Sequence, residues 1–332
     1  MNRKADAIIV GAGVIGSAVA FELAKRGYKT LNIDKLPTSG YGSTSNSCAI
    51  VRAHYSTWDG VAMAYEGFHY WDDWADYLGV DDERGLIKYM KTGSIMFKLQ
   101  GEDHSKKCLS FFEEIGVEHE IWDLDKLKEK MPIYSHDQYD GTTRPDEDDN
   151  FFDKTGKKIE GAVYTPGSGY VSDPQLSSHN LQVATEAKGG EFLFNSEITE
   201  IRQENGKVLG VTLSTGEQID SPVVVNVAGP HSFVINRMAG VEEEMNIKTN
   251  ALRHEVHHVP SPDGFNFEEK GCHTSDGDNF IYFRPETGNT ILIGSEDPKC
   301  DPLEWVADPD DYNNQITESQ WKAQVYRCAR RI

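Results

Sequence analysis

Residues 7–16 read AIIVGAGVIG, and this stretch decides the fold. Four apolar residues run directly into a Gly-x-Gly-x-x-Gly sequence, and apolar residues at helical spacing follow until Gly27 ends the helix. A second apolar run ends at Asp34, which follows Gly13 at the distance expected for a complete strand–helix–strand unit. The sequence therefore predicts a dinucleotide-binding unit, and the alternative is a glycine-rich structural turn.

The three glycines of this stretch each have a physical role in a dinucleotide site. Gly11 permits a tight turn, Gly13 lets the backbone approach a pyrophosphate, and Gly16 lets the helix pack closely on the strand. The first helical residues, Val14 and Ile15, are expected to direct free N–H groups and the positive end of the helix dipole toward the phosphates.

The following stretch bears on whether the dinucleotide is NAD or FAD. Asp34 is expected to accept hydrogen bonds from the adenosine ribose of either one. After Asp34 the regular pattern of an NAD domain lapses, and a hydroxyl-rich stretch at 39–47 precedes a helix predicted from about Ala49. Such a stretch can wrap a diphosphate or the ribityl end of a flavin, although a solvated loop has the same composition.

Alternating strand and helix patterns return in the second half of the chain. They predict a helix over 174–188, a short strand over 192–194 and further strands over 198–219. The run PVVVNVAGP at 222–230 is continuously β-branched, which predicts a strand buried on both faces of a parallel sheet. Its Ala228–Gly229 end offers bare backbone at the carboxyl edge of the sheet, where ligands bind.

Together these stretches resemble one family, the FAD-dependent amine oxidoreductases related to D-amino-acid oxidase, sarcosine oxidase, glycine oxidase and dimethylglycine oxidase. The resemblance covers nearly the whole chain. It departs from the usual pattern at Asp34, where relatives have Glu, and at His231, where they often have an aromatic residue. It is carried by the segments IIVGAGVIGSAVAFELAKRGYKTLNID, YGSTSNSCAIVRAHY, GYVSDPQLSSHNLQVATEAKGG, VVVNVAGPHS, ALRHEVHHV and NFIYFRPETGNTILIGS. The cofactor that it implies is FAD, and the residues expected to bind FAD are Gly11, Gly13, Val14, Ile15, Gly16, Asp34, Lys35, Ser43, Thr44, Ser45, Ile198, Ala228 and Gly229.

The resemblance implies a mixed α/β fold. A Rossmann-like FAD-binding domain would comprise residues 1–85 and 164–245, and an interleaved antiparallel-sheet substrate domain would comprise residues 86–163 and 246–332. Relatives continue past such an end with a final strand that returns to the FAD-binding domain. A C-terminal truncation is therefore expected.

Residues 254–258, HEVHH, fit the metalloprotease motif H-E-x-x-H, whose two histidines must lie one helical turn apart. The surrounding residues alternate with a period of two and Pro260 closes the segment, so a strand is predicted instead. Four strand residues span about 13 Å, which is too far for two ligands that each lie about 2.0–2.1 Å from one zinc ion. We expect no metal site in this protein.

The resemblance assigns three candidate catalytic residues. Arg52 matches the arginine that binds the substrate carboxylate, and a planar guanidinium suits that task because it donates two parallel hydrogen bonds. His254 and Tyr282 match residues that face the flavin or the substrate in some relatives, and Tyr282 lies in a predicted hairpin with its turn at 286–289. The alternatives are a helix-surface arginine, a surface strand histidine and a tyrosine that only packs in the sheet.

The function implied is FAD-dependent oxidation of a small secondary or N-methylated amino acid such as sarcosine, dimethylglycine or proline. Hydride would leave for the flavin, water would hydrolyse the resulting imine, and oxygen or an electron-transfer partner would take the electrons. Two alternatives stay open, namely a flavin-binding electron-transfer subunit without its own substrate site and an NAD-dependent dehydrogenase.

The composition disfavours several other classes of protein. The chain carries 33 Lys and Arg against 54 Asp and Glu, and its net charge of -21 opposes binding to nucleic acids and anionic lipid surfaces. Five cysteines lie far apart without a Cys-x-x-Cys pair, so neither disulfides nor structural zinc is indicated and a cytoplasmic localisation fits. No membrane span is expected, and partner subunits are compatible with the sequence.

Overall fold

The computed structural model describes residues 3–332. Its helices are α1 (Val14–Lys25), α2 (Trp58–Asp72), α3 (Trp74–Leu78), α4 (His104–Ile115), α5 (Leu124–Lys130), α6 (Pro174–Glu186), α7 (Ser232–Met238), α8 (Phe267–Lys270) and α9 (Glu318–Arg331). Its strands are β1 (Arg3–Lys4), β2 (Ala7–Val10), β3 (Thr30–Ile33), β4 (Ile50–Val51), β5 (Tyr89–Met90), β6 (Ser94–Leu99), β7 (Glu120–Asp123), β8 (Asp137–Tyr139), β9 (Lys154–Thr165), β10 (Gly169–Val171), β11 (Glu191–Leu193), β12 (Ile198–Glu204), β13 (Lys207–Leu213), β14 (Gln218–Asp220), β15 (Val224–Asn226), β16 (Ala251–Arg253), β17 (Val256–Pro260), β18 (His273–Asp276), β19 (Ile281–Glu286), β20 (Thr290–Ser295) and β21 (Glu304–Val306).

The predicted strand–helix–strand unit is confirmed. Strands β2 and β3 pair in parallel, α1 connects them, and the complete parallel sheet has the order β11-β3-β2-β15. Every residue of β2 and β3 is buried, because α1 packs on the sheet and apolar residues of β12, β13 and β14 join the same core. The predicted helix over 174–188 is α6, which packs against α1.

Two positions admit only glycine, one where β2 meets the end of β15 and one where α1 meets β2. Gly11 has a φ of +109°, and a Cβ there would lie 2.6 Å from the carbonyl oxygen of Val227. A Cβ on Gly16 would lie 2.0 Å from the carbonyl oxygen of Gly11. The buried Asn32 reinforces the contact, since its Nδ2 donates a hydrogen bond to the carbonyl oxygen of Gly16 at 3.1 Å.

The β-branched run at 222–230 forms a strand, but the prediction that it is buried on both faces is wrong. Strand β15 pairs with β2 alone and is the edge of the sheet within residues 3–332. Its residues are half-buried, and Val223 just before it is 47% exposed. Branched side chains favour a pleated strand wherever it lies, so they do not distinguish an edge strand from a central one.

The helix predicted from about Ala49 is also wrong. Ala49 has a φ of +52°, which a right-handed helix does not allow, and strand β4 follows it and pairs with β10. Helix α2 begins only after Thr57, whose hydroxyl oxygen accepts a hydrogen bond from the N–H of Gly60 at 3.2 Å. The hydroxyl cap marks the helix start, whereas the apolar run at 49–51 belongs to a strand.

A large mixed sheet forms the other half of the molecule. Its order is β17-β20-β19-β18-β6-β9-β7, with β8 paired to β9, and β18 runs parallel to β6. The predicted hairpin is confirmed as β19 and β20, in which Tyr282 lies opposite Gly294. Aromatic and aliphatic side chains from widely separated stretches of the chain fill the core beneath this sheet.

The segment HEVHH is extended, as predicted, but it is not one continuous strand. Strand β16 pairs with β21 and β17 pairs with β20, so the chain changes sheets at His254 and Glu255. The change occurs where Glu255 is buried, because its carboxylate binds Arg253 at 2.8 Å and the hydroxyl of Thr317 at 2.7 Å. Within residues 3–332 no cluster of side chains suited to a metal ion is found.

Helix α9 holds its position through buried charges. The guanidinium of Arg331 is completely buried and donates to Asp276 at 2.7 Å and to Asp278 at 3.0 Å. Burial raises the pKa of Asp278 to about 6, and Arg331 acts against that rise.

In the described part of the chain, no helix combines the length and the apolar character needed to cross a membrane.

Replacing Arg331 with Met is expected to lower the free energy of unfolding by about 3–5 kcal/mol, because Asp276 would remain buried without its cationic partner. Lys322→Met is the matched control, since it removes the solvent-exposed pair of Lys322 with Glu318 on the same helix and should change stability little. Urea unfolding followed by circular dichroism measures both variants. Equal midpoints for the two variants would contradict this account of α9.

Candidate active site

Two cavities share the loop that follows β3. The first has a volume of about 490 Å³ and lies at the carboxyl edge of the parallel sheet. The second has a volume of about 970 Å³ and lies against the large mixed sheet. Residues 42–44 of the loop line the first cavity and residues 46–50 line the second. A ligand that extends along this loop can therefore enter both cavities.

The first cavity gathers most of the residues predicted to bind the cofactor. Those that line it are Gly11, Gly13, Asp34, Lys35, Ser43, Thr44, Ile198, Ala228 and Gly229. The remaining four, Val14, Ile15, Gly16 and Ser45, do not line it. Ile15 points outward and is 66% exposed, and the hydroxyl of Ser45 donates to the carbonyl oxygens of Tyr41 and Gly42, both at 2.9 Å.

The acidic residue at the end of β3 is held by backbone N–H groups. One carboxylate oxygen of Asp34 accepts from the N–H of Ala12 at 2.7 Å, and the other accepts from the N–H of Leu36 at 2.9 Å. The hydroxyl oxygen of Thr44 accepts from the N–H of Val14 at 3.1 Å and thereby caps the first turn of α1. Loop, helix and strand are thus joined at one point of the cavity wall.

The residues present fit a dinucleotide. Bare backbone lines the cavity at Gly11 and Gly13, and a Cβ on Gly13 would lie 3.1 Å from the Thr44 hydroxyl, so a side chain there would crowd the loop. The positive end of α1 begins at this wall, which favours a phosphate group. Asp34 supplies an acceptor suited to ribose hydroxyls.

A charged cluster lies beside the same cavity. Lys35 contacts both Asp310 and the imidazole of His231, and His231 Nε2 lies 3.0 Å from the carboxylate of Asp310. The hydrogen bond from Lys35 is the largest cause that lowers the pKa of Asp310. The segment around Asp310, which the sequence did not associate with the nucleotide, is therefore tied to the residue after Asp34.

The second cavity brings together all three candidate catalytic residues, Arg52, His254 and Tyr282. The half-buried Arg52 donates one hydrogen bond to the carbonyl oxygen of His54, and its guanidinium lies 4.5 Å from the ring centre of Tyr55. Within residues 3–332 it forms no ion pair. A guanidinium has five N–H donors, so most of those on Arg52 are available to an anion in the cavity.

Tyr282 is fixed by the loop that faces it. Its hydroxyl lies 3.2 Å from the thiol of Cys48, and the carbonyl oxygen of Cys48 accepts from Arg284 Nε at 2.8 Å. Arg284 is buried and its guanidinium lies 4.1 Å from the ring centre of Tyr170. Burial raises the pKa of Tyr282, so its phenol is neutral and presents a hydrogen-bond donor. His254 is more exposed and faces Asp297 at 3.5 Å.

Sequence reasoning missed a buried polar group behind Arg52. His54 Nε2 lies 2.9 Å from the hydroxyl of Ser275, and His273 Nδ1 lies 2.7 Å from the hydroxyl of Ser94. Burial, together with the charge of Arg52, lowers the pKa of His273 to about 3 and holds the pKa of His54 well below its usual range. Both imidazoles are therefore neutral. The alternation of His54 with Arg52 along the extended segment at 50–54 was the signal in the sequence for His54.

Sequence reasoning also missed Glu296, which lines the same cavity. The residue is exposed on the open side of the cavity, and partial desolvation by the cavity wall raises the pKa of its carboxyl to about 7, a rise that Arg52 opposes. The residue follows the last residue of β20 directly, so a charged residue at the end of the Tyr282 hairpin was the available signal.

Comparison with known proteins assigns nearly the whole chain to one family. The sequence model of the DAO family, described as FAD dependent oxidoreductase, matches residues 6–332. Glycine oxidase from Geobacillus kaustophilus (strain HTA426) is 26% identical over 310 residues, covering 89% of this chain and 71% of that protein. The mitochondrial pyruvate dehydrogenase phosphatase regulatory subunit of Mus musculus is 24% identical over 302 residues, covering 89% of this chain and 30% of that protein.

A solved structure shows the same fold. L-proline dehydrogenase from P. horikoshii superposes with a TM-score of 0.76 at 18% identity, covering 100% of this chain and 78% of that one. At this identity the likeness is one of fold. The chain thus spans only part of the length of each of these proteins.

The contact between α1 and β2 generates a test of the first cavity. Gly16→Ala is expected to destabilise the protein by about 3 kcal/mol and to reduce retention of FAD, because the new methyl group would overlap the carbonyl oxygen of Gly11. Gly67→Ala is the matched control, since Gly67 lies inside α2 with no atom near its Cβ position, and it should stabilise the helix by about 0.5–1 kcal/mol.

Thermal unfolding and the flavin absorbance that remains after gel filtration measure both variants. If Gly16→Ala bound FAD as well as the wild type does, the close contact would not be what organises this cavity.

Proposed function

The chain belongs to the DAO family of FAD-dependent oxidoreductases, and from that premise we propose that it oxidises a small secondary or N-methylated amino acid. The proposal is carried by Arg52, whose N–H donors are available in the cavity that adjoins the nucleotide cavity. Sarcosine, dimethylglycine and proline all present the carboxylate that such an arginine binds. Because the cofactor of the family is FAD, the NAD-dependent alternative is set aside.

FAD would occupy both cavities. Gly11, Gly13 and Asp34 would hold its nucleotide portion, and the loop at 39–49 leads from there to the cavity that contains Arg52. When bound, FAD supplies the redox chemistry by accepting a hydride from the carbon next to the substrate nitrogen. The substrate then becomes an imine that water hydrolyses.

Arg52 would fix the carboxylate of the substrate. Two parallel N–H donors and a permanent charge allow a guanidinium to hold a carboxylate in one orientation, which positions the neighbouring carbon. The hydrogen bond to the His54 carbonyl oxygen and the stacking on Tyr55 hold the guanidinium in place before a substrate arrives. Less conformational freedom is then lost on binding.

Tyr282 and His254 would organise the amine end of the substrate. The neutral phenol of Tyr282 donates a hydrogen bond, and its contact with Cys48 sets its direction. His254 lies at the more open side of the cavity beside Asp297. Oxygen or an electron-transfer partner would take the electrons afterwards.

The two cavities would belong to two domains, one that binds FAD and one that binds the substrate. Residues 1–85 and 164–245 would form the FAD-binding domain, and residues 86–163 and 246–332 would form the substrate domain. The parallel sheet and the mixed sheet support this division, because each cavity lies mainly against one of them.

Arg52→Met is expected to raise the apparent dissociation constant for the reducing amino acid by about 30-fold or more, because a desolvated carboxylate would lose its charged partner. Anaerobic stopped-flow measurement of flavin reduction gives this constant. Arg26→Met is the matched control, since the exposed Arg26 directly follows α1 and, within residues 3–332, forms an ion pair with Glu22 alone, and it should leave the constant unchanged.

The same experiment addresses the electron-transfer alternative. A subunit without its own substrate site would show no reduction of its flavin by sarcosine, dimethylglycine or proline, and Arg52→Met would then change nothing. That result would overturn the proposed function.

A further inference from the structure

The second cavity contains two opposite charges that no neighbouring residue neutralises. Arg52 and Glu296 both line it, and within residues 3–332 neither forms an ion pair with a partner closer than 4.0 Å. The two groups nevertheless interact electrostatically, because the charge of Arg52 lowers the pKa of Glu296. A gap between unpaired opposite charges suits a ligand that carries both charges itself.

The backbone of Glu296 is rigidly placed. Its N–H donates to the carbonyl oxygen of Phe280 at 2.8 Å, directly beyond the pair of Ile281 with Ser295 that closes the hairpin. The side chain extends from this end of the hairpin into the cavity, where its carboxylate lies beside the hydroxyl of Ser275. It therefore shares the cavity with Arg52 without depending on a mobile loop.

Two other carboxylates in this cavity already have partners. Glu102 accepts a hydrogen bond from the N–H of His104 at 2.6 Å, and Asp297 faces the imidazole of His254 at 3.5 Å. Glu296 differs from both, because in the described part of the chain its carboxylate has a hydrogen bond with the hydroxyl of Ser275 but no N–H or cationic partner.

We propose that Glu296 binds the amine of the substrate while Arg52 binds its carboxylate, so that the cavity selects zwitterionic amino acids. This inference rests on the proposed function and adds the determinant of substrate class. The same carboxylate then removes one proton from the substrate ammonium. An N–H bond breaks, an O–H bond forms on Glu296, and the electron pair left on nitrogen supports the departure of hydride from the adjacent carbon.

The acidity of Glu296 suits this proton transfer. Glu296 is exposed where the cavity opens, and partial desolvation by the surrounding cavity wall raises the pKa of its carboxyl to about 7, with Asp276 adding to the rise and Arg52 opposing it. The carboxyl can accept a proton only when it is ionised, so the rate of flavin reduction should increase as the pH rises through about 7. The other titratable groups that line the cavity with it are Cys48, His54, Tyr55, Glu102, His104, His254, His273, Tyr282 and Asp297.

The test compares each amino acid with an ether that has the same shape but no amine. Sarcosine is paired with methoxyacetate and proline with tetrahydrofuran-2-carboxylate, and anaerobic isothermal titration calorimetry of the protein loaded with reduced FAD, which cannot accept a hydride, measures binding. The wild type should bind the amino acid at least 10-fold more tightly than the ether. In Glu296→Gln this ratio should fall to about 1 through loss of amino-acid affinity, and the rise of the reduction rate near pH 7 should disappear.

Three variants separate the possible outcomes. Glu102→Gln, which alters another carboxylate that lines the cavity, should keep the ratio, Glu296→Asp should restore part of it, and Arg52→Met should weaken binding of the amino acid and of the ether alike. Unchanged ether binding by Glu296→Gln shows that its cavity is folded. A wild-type ratio in Glu296→Gln would overturn this inference while leaving the proposed function intact, whereas a wild type that binds and oxidises no amino acid would overturn both.

Discussion

The nucleotide end of the molecule depends on how closely α1 approaches β2. The space that Gly16 leaves is smaller than a methyl group, since a Cβ there would lie 2.0 Å from the carbonyl oxygen of Gly11. This contact brings the first turn of α1 to the carboxyl edge of the parallel sheet, where Thr44 caps the turn and Asp34 binds the N–H of Ala12. The absence of one side chain thus sets the position of a helix, a loop and a strand end together.

The second cavity depends on links between that loop and the hairpin of β19 and β20. Arg284 binds the carbonyl oxygen of Cys48, and the thiol of Cys48 contacts the hydroxyl of Tyr282. These contacts join the segment that leads to Arg52 to the strand that carries Tyr282. Because the same loop also lines the nucleotide cavity, ligands in the two cavities would touch one continuous stretch of backbone.

The sequence predicted those features whose geometry is set by adjacent residues. It did not predict features that depend on which distant segments pack together. The glycine spacing at 11–16 and the alternation and turn at 280–295 define their own geometry, so the nucleotide unit and the hairpin were predicted correctly. The run at 222–230 gave the right strand but the wrong burial, because only the pairing of β15 makes it an edge. Ala49 was assigned to a helix because composition does not show its positive φ. Glu296 escaped notice because only the folded chain brings the end of β20 to the cavity that Arg52 also lines.

Arg52 and Glu296 line the same cavity but lie far apart in the sequence, and this separation has a consequence for folding. Strand β6 lies between β9 and β18, and the hairpin that precedes Glu296 pairs with β18, so the large sheet closes only through contacts between remote stretches. Such non-local pairing forms slowly, since loop-closure entropy is lost before the contacts compensate for it. A growing chain on the ribosome has Arg52 early, yet it cannot assemble the substrate cavity until the hairpin has been synthesised. The partly made protein therefore exposes the unpaired edge of β6 until β18 has been synthesised, and this is the stage at which aggregation competes with folding.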